Sequence, residues 1–92
     1  MGFTKENAVE RARVDLAKRL KIDVDDVEEK SVSEKEFPDM SLGSPAAGEM
    51  SAQMIAYGWV INLEADSKIF EYRADKYQIR LHNFNGENYV VV

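Results

Sequence analysis

An α+β domain is what this sequence predicts, with an N-terminal amphipathic helix packed on an antiparallel sheet of about four strands. Three observations carry that expectation. Apolar residues recur at helical spacing from Val9 to Leu20, they alternate with polar ones from Ile55 to Arg73, and Asn85-Gly86 separates two further apolar runs as a hairpin turn would.

The helix is expected over about Lys5 to Leu20. Thr4 is its N-cap, because a threonine hydroxyl can accept a bond from an otherwise orphaned backbone N–H. Val9, Ala12, Leu16 and Leu20 fall on one narrow stripe at 100° per residue, while Arg11, Asp15 and Lys18 point away. Asp15 and Arg19, with the acid four residues ahead of the base, should pair on the helix surface. Val14 lies off the stripe and is expected to meet a flanking loop.

Asp23 starts a new short helical turn as its cap. Charge then rises and apolar residues thin out, leaving Val32 and Phe37 as anchors, so Glu29 to Lys35 reads as a weak edge strand. From Phe37 to Gly48 the chain holds both prolines and two of its five glycines, which makes a loop that extends toward Met54. Loops longer than roughly 12–15 residues within a compact domain tend to be functional or disordered.

The strongest strand signal follows. Ile55, Tyr57, Trp59, Ile61 and Leu63 alternate with Ala56, Gly58, Val60, Asn62 and Glu64, and the first set is expected to face the core. Asp66-Ser67-Lys68 turns the chain into a second strand, Ile69 to Arg73, completing a hairpin. A regular ladder about Asn85-Gly86 sets Leu81 opposite Val90 and Ile79 opposite Val92 on one face, with Arg80, His82 and Tyr89 on the other.

Composition bounds the function. A chain of 92 residues that is 45% hydrophobic and 32% charged makes a single domain, residues 1–92, with one modest core. It has no cysteine, so a disulfide framework, a thiolate nucleophile and a cysteine-rich zinc site are excluded. The N-terminal residues lack an apolar signal or membrane-spanning run, and Asn7 breaks the myristoylation pattern after Gly2, which reads as a cytoplasmic protein without a membrane partner. A net charge of -5 and scattered basic residues argue against nucleic acid.

No phosphate-binding loop, dinucleotide fingerprint, zinc-protease helix or nucleophile elbow occurs. The 17 acidic residues supply carboxylate pairs everywhere and select none for hydrolysis. His82, the only histidine, reads as a solvent-facing strand residue, so an enzyme is not expected.

Two features remain. Asp23, Asp25, Asp26, Glu28 and Glu29 form an acidic segment whose oxygens suit calcium, although Val27 and Glu28 stand where an EF-hand needs a ligand and a glycine; capping and solubility explain the same residues. The loop carries Met40, Met50 and Met54 beside Phe37 and Leu42, a set that suits an adaptable partner-binding surface or closure of the core's open end. An edge strand could add a partner protein or a second copy of the chain.

Phe37-Pro38-Asp39-Met40-Ser41-Leu42-Gly43-Ser44-Pro45, followed by Gly58-Trp59-Val60-Ile61-Asn62-Leu63 and Phe70-Glu71-Tyr72-Arg73-Ala74-Asp75, resembles a group of small uncharacterised prokaryotic domains. Their pattern is roughly W-P-D-x-S-L-G-C-P, then G-Y-x-I-x-L, then Y-x-Y-[HR]-x-D. Ser44 stands where those relatives often carry cysteine and Phe37 where they carry tryptophan, so a thiol-dependent role is absent from this chain. The resemblance implies a helix on an antiparallel sheet and a structured loop, with no activity attached. A non-enzymatic binding or interaction module is the leading expectation, and calcium binding at residues 23–29 the alternative.

Overall fold

A computed structural model describes residues 2–92 of the chain. Lys5–Leu20 forms helix α1, and Thr4 caps it reciprocally: the Thr4 hydroxyl accepts from the Asn7 N–H, and the Asn7 side chain accepts from the Thr4 N–H at 2.7 Å. Lys21, in the left-handed region at φ 59°, ends it. The chain then makes one 3-10 turn, Val24–Asp26, capped by the Asp23 carboxylate. The Arg13 guanidinium ties this turn to the helix by donating to the carbonyls of Val24 and Val27, both at 3.1 Å.

Five strands follow: β1 Glu28–Phe37, β2 Ala56–Ala65, β3 Lys68–Ala74, β4 Ile79–Phe84 and β5 Glu87–Val90. They form an antiparallel meander in chain order, so the sheet has five strands rather than about four, and β1 and β5 are its edges. Asp66 and Ser67, at φ 52° and 61°, close the β2–β3 hairpin, and Asn85 and Gly86, at 53° and 86°, close β4–β5.

Helix α1 covers one sheet face. Ala8, Val9, Ala12, Leu16 and Ala17 pack there with Ile61, Leu63, Tyr72, Ala74, Ile79 and Leu81, which come from alternate positions of β2, β3 and β4. Beneath the helix the Tyr72 hydroxyl donates to Asp15 at 2.7 Å, and Arg19 donates to the same carboxylate oxygen. Burial and that hydrogen bond raise the Tyr72 phenol well above its ordinary range.

The expected inward row of β2 holds only in part. Ile61 and Leu63 are buried and Trp59 is half-buried, but Tyr57 is 72% exposed and Ile55 precedes the strand in solvent. Helix cover ends at Trp59, which leaves the last inward-phase aromatic bare. On the opposite phase, Gly58 admits a close approach: a Cβ there would lie 2.0 Å from the Ala74 carbonyl oxygen.

The predicted ladder of the last hairpin is also corrected. Phe84 opposes Glu87 as expected, but His82 and Asn83 bulge, so Leu81 meets Tyr89 and Arg80 meets Val90. Asn83 sits at φ 51° and its N–H donates to the Asn88 side chain at 2.8 Å. One extra residue flips the phase of β5, bringing Tyr89 to the helix side. There its ring meets the Phe84 edge and the Arg19 guanidinium, 4.8 Å from the ring centre.

Candidate functional site

Residues 38–55 are a layer of the fold, lying across the sheet face opposite α1. Leu42, Ser41 and Ser44 are fully buried, and Leu42 packs with Phe37 and Ala56 in a second small core. The loop is built on Asp39, whose Oδ1 accepts from the Ser41 N–H, the Ser41 hydroxyl and the Gly43 N–H. These bonds, the Ser41 hydroxyl first, hold the Asp39 carboxyl below its usual range. Leu42 and Gly43 then turn through φ 59° and 67°.

Two arginines on the sheet grip the loop by its main chain. Arg73 donates to the carbonyls of Leu42 and Gly43 at 3.0 and 3.2 Å, pairs with Glu71 and lies against the Phe37 ring. Arg80, only 5% exposed, donates to the Ser44 carbonyl, to Gln78 and to both oxygens of Glu49, one at 2.8 Å. That bidentate pair pulls the Glu49 carboxyl down to about 2, with the Ala46 N–H as a second donor. Gln78 and Asn88 add bonds to the carbonyls of Met40 and Pro45.

His82 belongs to this layer and is not a solvent-facing strand residue. Its Nδ1 lies 2.8 Å from the Ser44 hydroxyl and its Nε2 3.5 Å from Arg73 Nη2. Nδ1 therefore shares a hydrogen bond with the Ser44 hydroxyl, while Nε2 faces the Arg73 guanidinium, which can only donate. Burial, reinforced by Arg73 against a weaker pull from Glu71, lowers the His82 pKa. Ser44 itself is fully buried. The pairing is a loop clasp. Its two residues are 38 positions apart, a separation that strand alternation alone does not reveal.

Of the five residues expected to meet a partner, Phe37 and Leu42 are buried in the second core and Met40 packs partly against it. Met50 and Met54 stand in solvent at 96% and 63% exposure. The acidic segment divides as well. The Asp23 carboxylate accepts from the Asp25 N–H at 2.9 Å, which is capping, and among the described residues no three acidic or histidine side chains converge as metal ligands would.

Asp25, Asp26, Glu28 and Glu29 instead rim a groove of about 760 Å³ between α1, the 3-10 turn and the start of β1. Glu6 and Glu10 of the helix form its other wall, and Val9, Val27 and Val32 its floor. Six carboxylates face two cations, Lys5 and Arg13, and Arg13 is already engaged by Glu10 and by the carbonyls of Val24 and Val27.

The profile of a domain of unknown function (DUF8738) matches residues 9–82. The chain belongs to that family. The DUF8738 match begins inside α1 and ends on His82, so it takes in the groove apart from Lys5 and Glu6, the loop, both arginines and the clasp histidine, and stops short of β5. No curated protein and no solved structure matches the chain. Among the described residues no helix is long and apolar enough to cross a membrane.

Proposed function

We propose that this domain is a small non-enzymatic binding module that takes a basic segment of a partner protein into the groove between α1 and β1. The observation that carries this reading is the groove itself, a valine floor inside a rim of six carboxylates, beside a strand whose outer edge pairs with no other strand among the described residues. An apolar floor favours aliphatic side chains or the stems of lysine and arginine, while the rim favours their charged ends. The full burial of Ser44 beside the only histidine supports a role without chemistry.

Amide-shift mapping on labelled protein tests the reading, with an oligolysine peptide as the probe and calcium as the control. The peptide should move amides of Glu6, Val9, Glu10 and residues 25–32 and leave the loop at 40–48 in place, and salt should weaken the effect. Shifts scattered over the whole surface would refute a defined site. Shifts at residues 23–29 on millimolar calcium, without a response to peptide, would favour cation binding instead.

A further inference from the structure

The groove is one end of a longer track. Strand β1 runs for ten residues at the sheet edge, and beyond the irregularity between Glu29 and Ser31 it keeps a regular register with β2. Val32 opposes Ile61, Glu34 opposes Trp59 and Glu36 opposes Tyr57, and alternation sets all of them on the helix side of the sheet. Val32 closes the floor of the first groove, while Glu34, Glu36, Tyr57 and Trp59, with Lys35 and Gly58 between them, line a second depression of about 480 Å³ where helix cover has ended. Tyr57 is largely exposed and Trp59 half-buried. Among the described residues neither Glu34 nor Glu36 takes part in an ion pair.

An exposed and a half-buried aromatic ring beside unpaired carboxylates form a surface for organic cations: the ring face attracts a guanidinium or ammonium and the carboxylate accepts its hydrogen bonds. The spacing is that of a strand, one aromatic–carboxylate pair every second residue. Resting on the groove reading above, we infer that β1 accepts an extended basic segment of a partner protein as a sixth strand. The segment sets an aliphatic side chain at the level of Val32, and lysine or arginine side chains two and four positions further along, against Trp59 and Tyr57. Main-chain hydrogen bonds to the free edge hold it whatever its sequence, and these alternate pockets select it. A second copy of this chain is a poor occupant, since it brings its own Glu28, Glu29, Glu34 and Glu36 to the same edge.

Trp59 is the only tryptophan, so its fluorescence reports on the track directly. Two ten-residue peptides of identical composition separate register from charge, one alternating threonine with valine, arginine and arginine, the other with the arginines adjacent. The alternating peptide should change Trp59 emission saturably, shift amides 31–36 and bind about tenfold tighter than its isomer. The double variant Glu34→Gln, Glu36→Gln, at two exposed positions, should lose roughly that same factor while melting as the parent does. Equal affinity of the two peptides, or binding without a change at Trp59, would overturn strand addition. If both peptides still move the amides of Glu6 and Glu10, the groove reading survives that failure; if neither moves any amide, both fall. Sedimentation that finds a dimer paired through β1 would also overturn the inference, by making the second copy the occupant.

Discussion

Replacing Leu42 with alanine tests whether the loop is part of the folded core or a strap resting on it. Leu42 is fully buried against Phe37, Ala56, Met40 and Val60, and its backbone is held in the left-handed region, where a branched side chain sits only if its surroundings insist. Removing a fully buried leucine side chain typically costs about 2–5 kcal/mol. The lower half of that range applies here, since the second core is small and the cavity could partly collapse. A loss of about 2–3 kcal/mol in a domain of this size should lower Tm by roughly 8–24 °C. Thermal melts followed by far-ultraviolet circular dichroism give the value, with Met50→Ala as the control. Met50 is 96% exposed, and its loss should move Tm by no more than a degree or two. Equal melting temperatures for Leu42→Ala and the parent would refute the packing argument and make the loop an independent, locally opening segment.

Further predictions concern pH and backbone fit. His82 is the only histidine and no cysteine is present, so a change of Tm between pH 7.5 and 5.5 reports on the clasp. Its folded pKa lies below the ordinary 6.5, so the unfolded chain binds the proton first: the contribution is full above 6.5 and is lost as pH falls below it. Glu71, Arg73 and Ser44 face the ring, and His82→Gln should flatten the profile over that interval. The Glu49–Arg80 pair follows the carboxylate sign: Glu49 is depressed from 4.5 to about 2, so its contribution is present above 4.5 and is lost as pH falls toward 2. Glu49→Gln should remove that acid-side loss, read by the same melts. Ser67→Gly, at φ 61° in the β2–β3 turn, should raise stability by about 0.5–1 kcal/mol in urea titrations. Gly58→Ala, whose methyl would meet the Ala74 carbonyl at 2.0 Å, should lower it by about 2 kcal/mol or more.

Local chemistry made much of the fold legible. Thr4 and Asp23 announce their caps because the bonds they make span two or three residues, and Asn85-Gly86 closes its hairpin because the turn geometry is local. What the sequence hid depends on distance. Arg73, Arg80 and His82 fall on the face that alternation assigns to solvent, and only the folded-over loop turns that face into an interior. Tyr89 shows the limit of ladder counting: one residue of bulge at His82-Asn83 reversed every side chain after it. The acidic residues from Asp25 to Glu29 were visible as a run, but that they face Glu6 and Glu10 across a groove follows from where α1 crosses the sheet. The row from Tyr57 to Leu63 has the right period, yet periodicity does not say where the covering helix stops.

The manner in which the loop is held bears on what can change in it. Arg73, Arg80, Gln78 and Asn88 all reach carbonyl oxygens, at Met40, Leu42, Gly43, Ser44 and Pro45, and a carbonyl is present whatever the side chain. The loop's path is therefore specified in good part by the sheet beneath it, together with Asp39, the side chains of Leu42, Ser44 and Glu49, and the left-handed residues Leu42, Gly43 and Gly48. Positions such as Met50 and Met54 are free to vary at little cost to the fold. A surface attached in this way can be rewritten at its exposed positions while its anchor stays fixed, as a label can be changed on a frame.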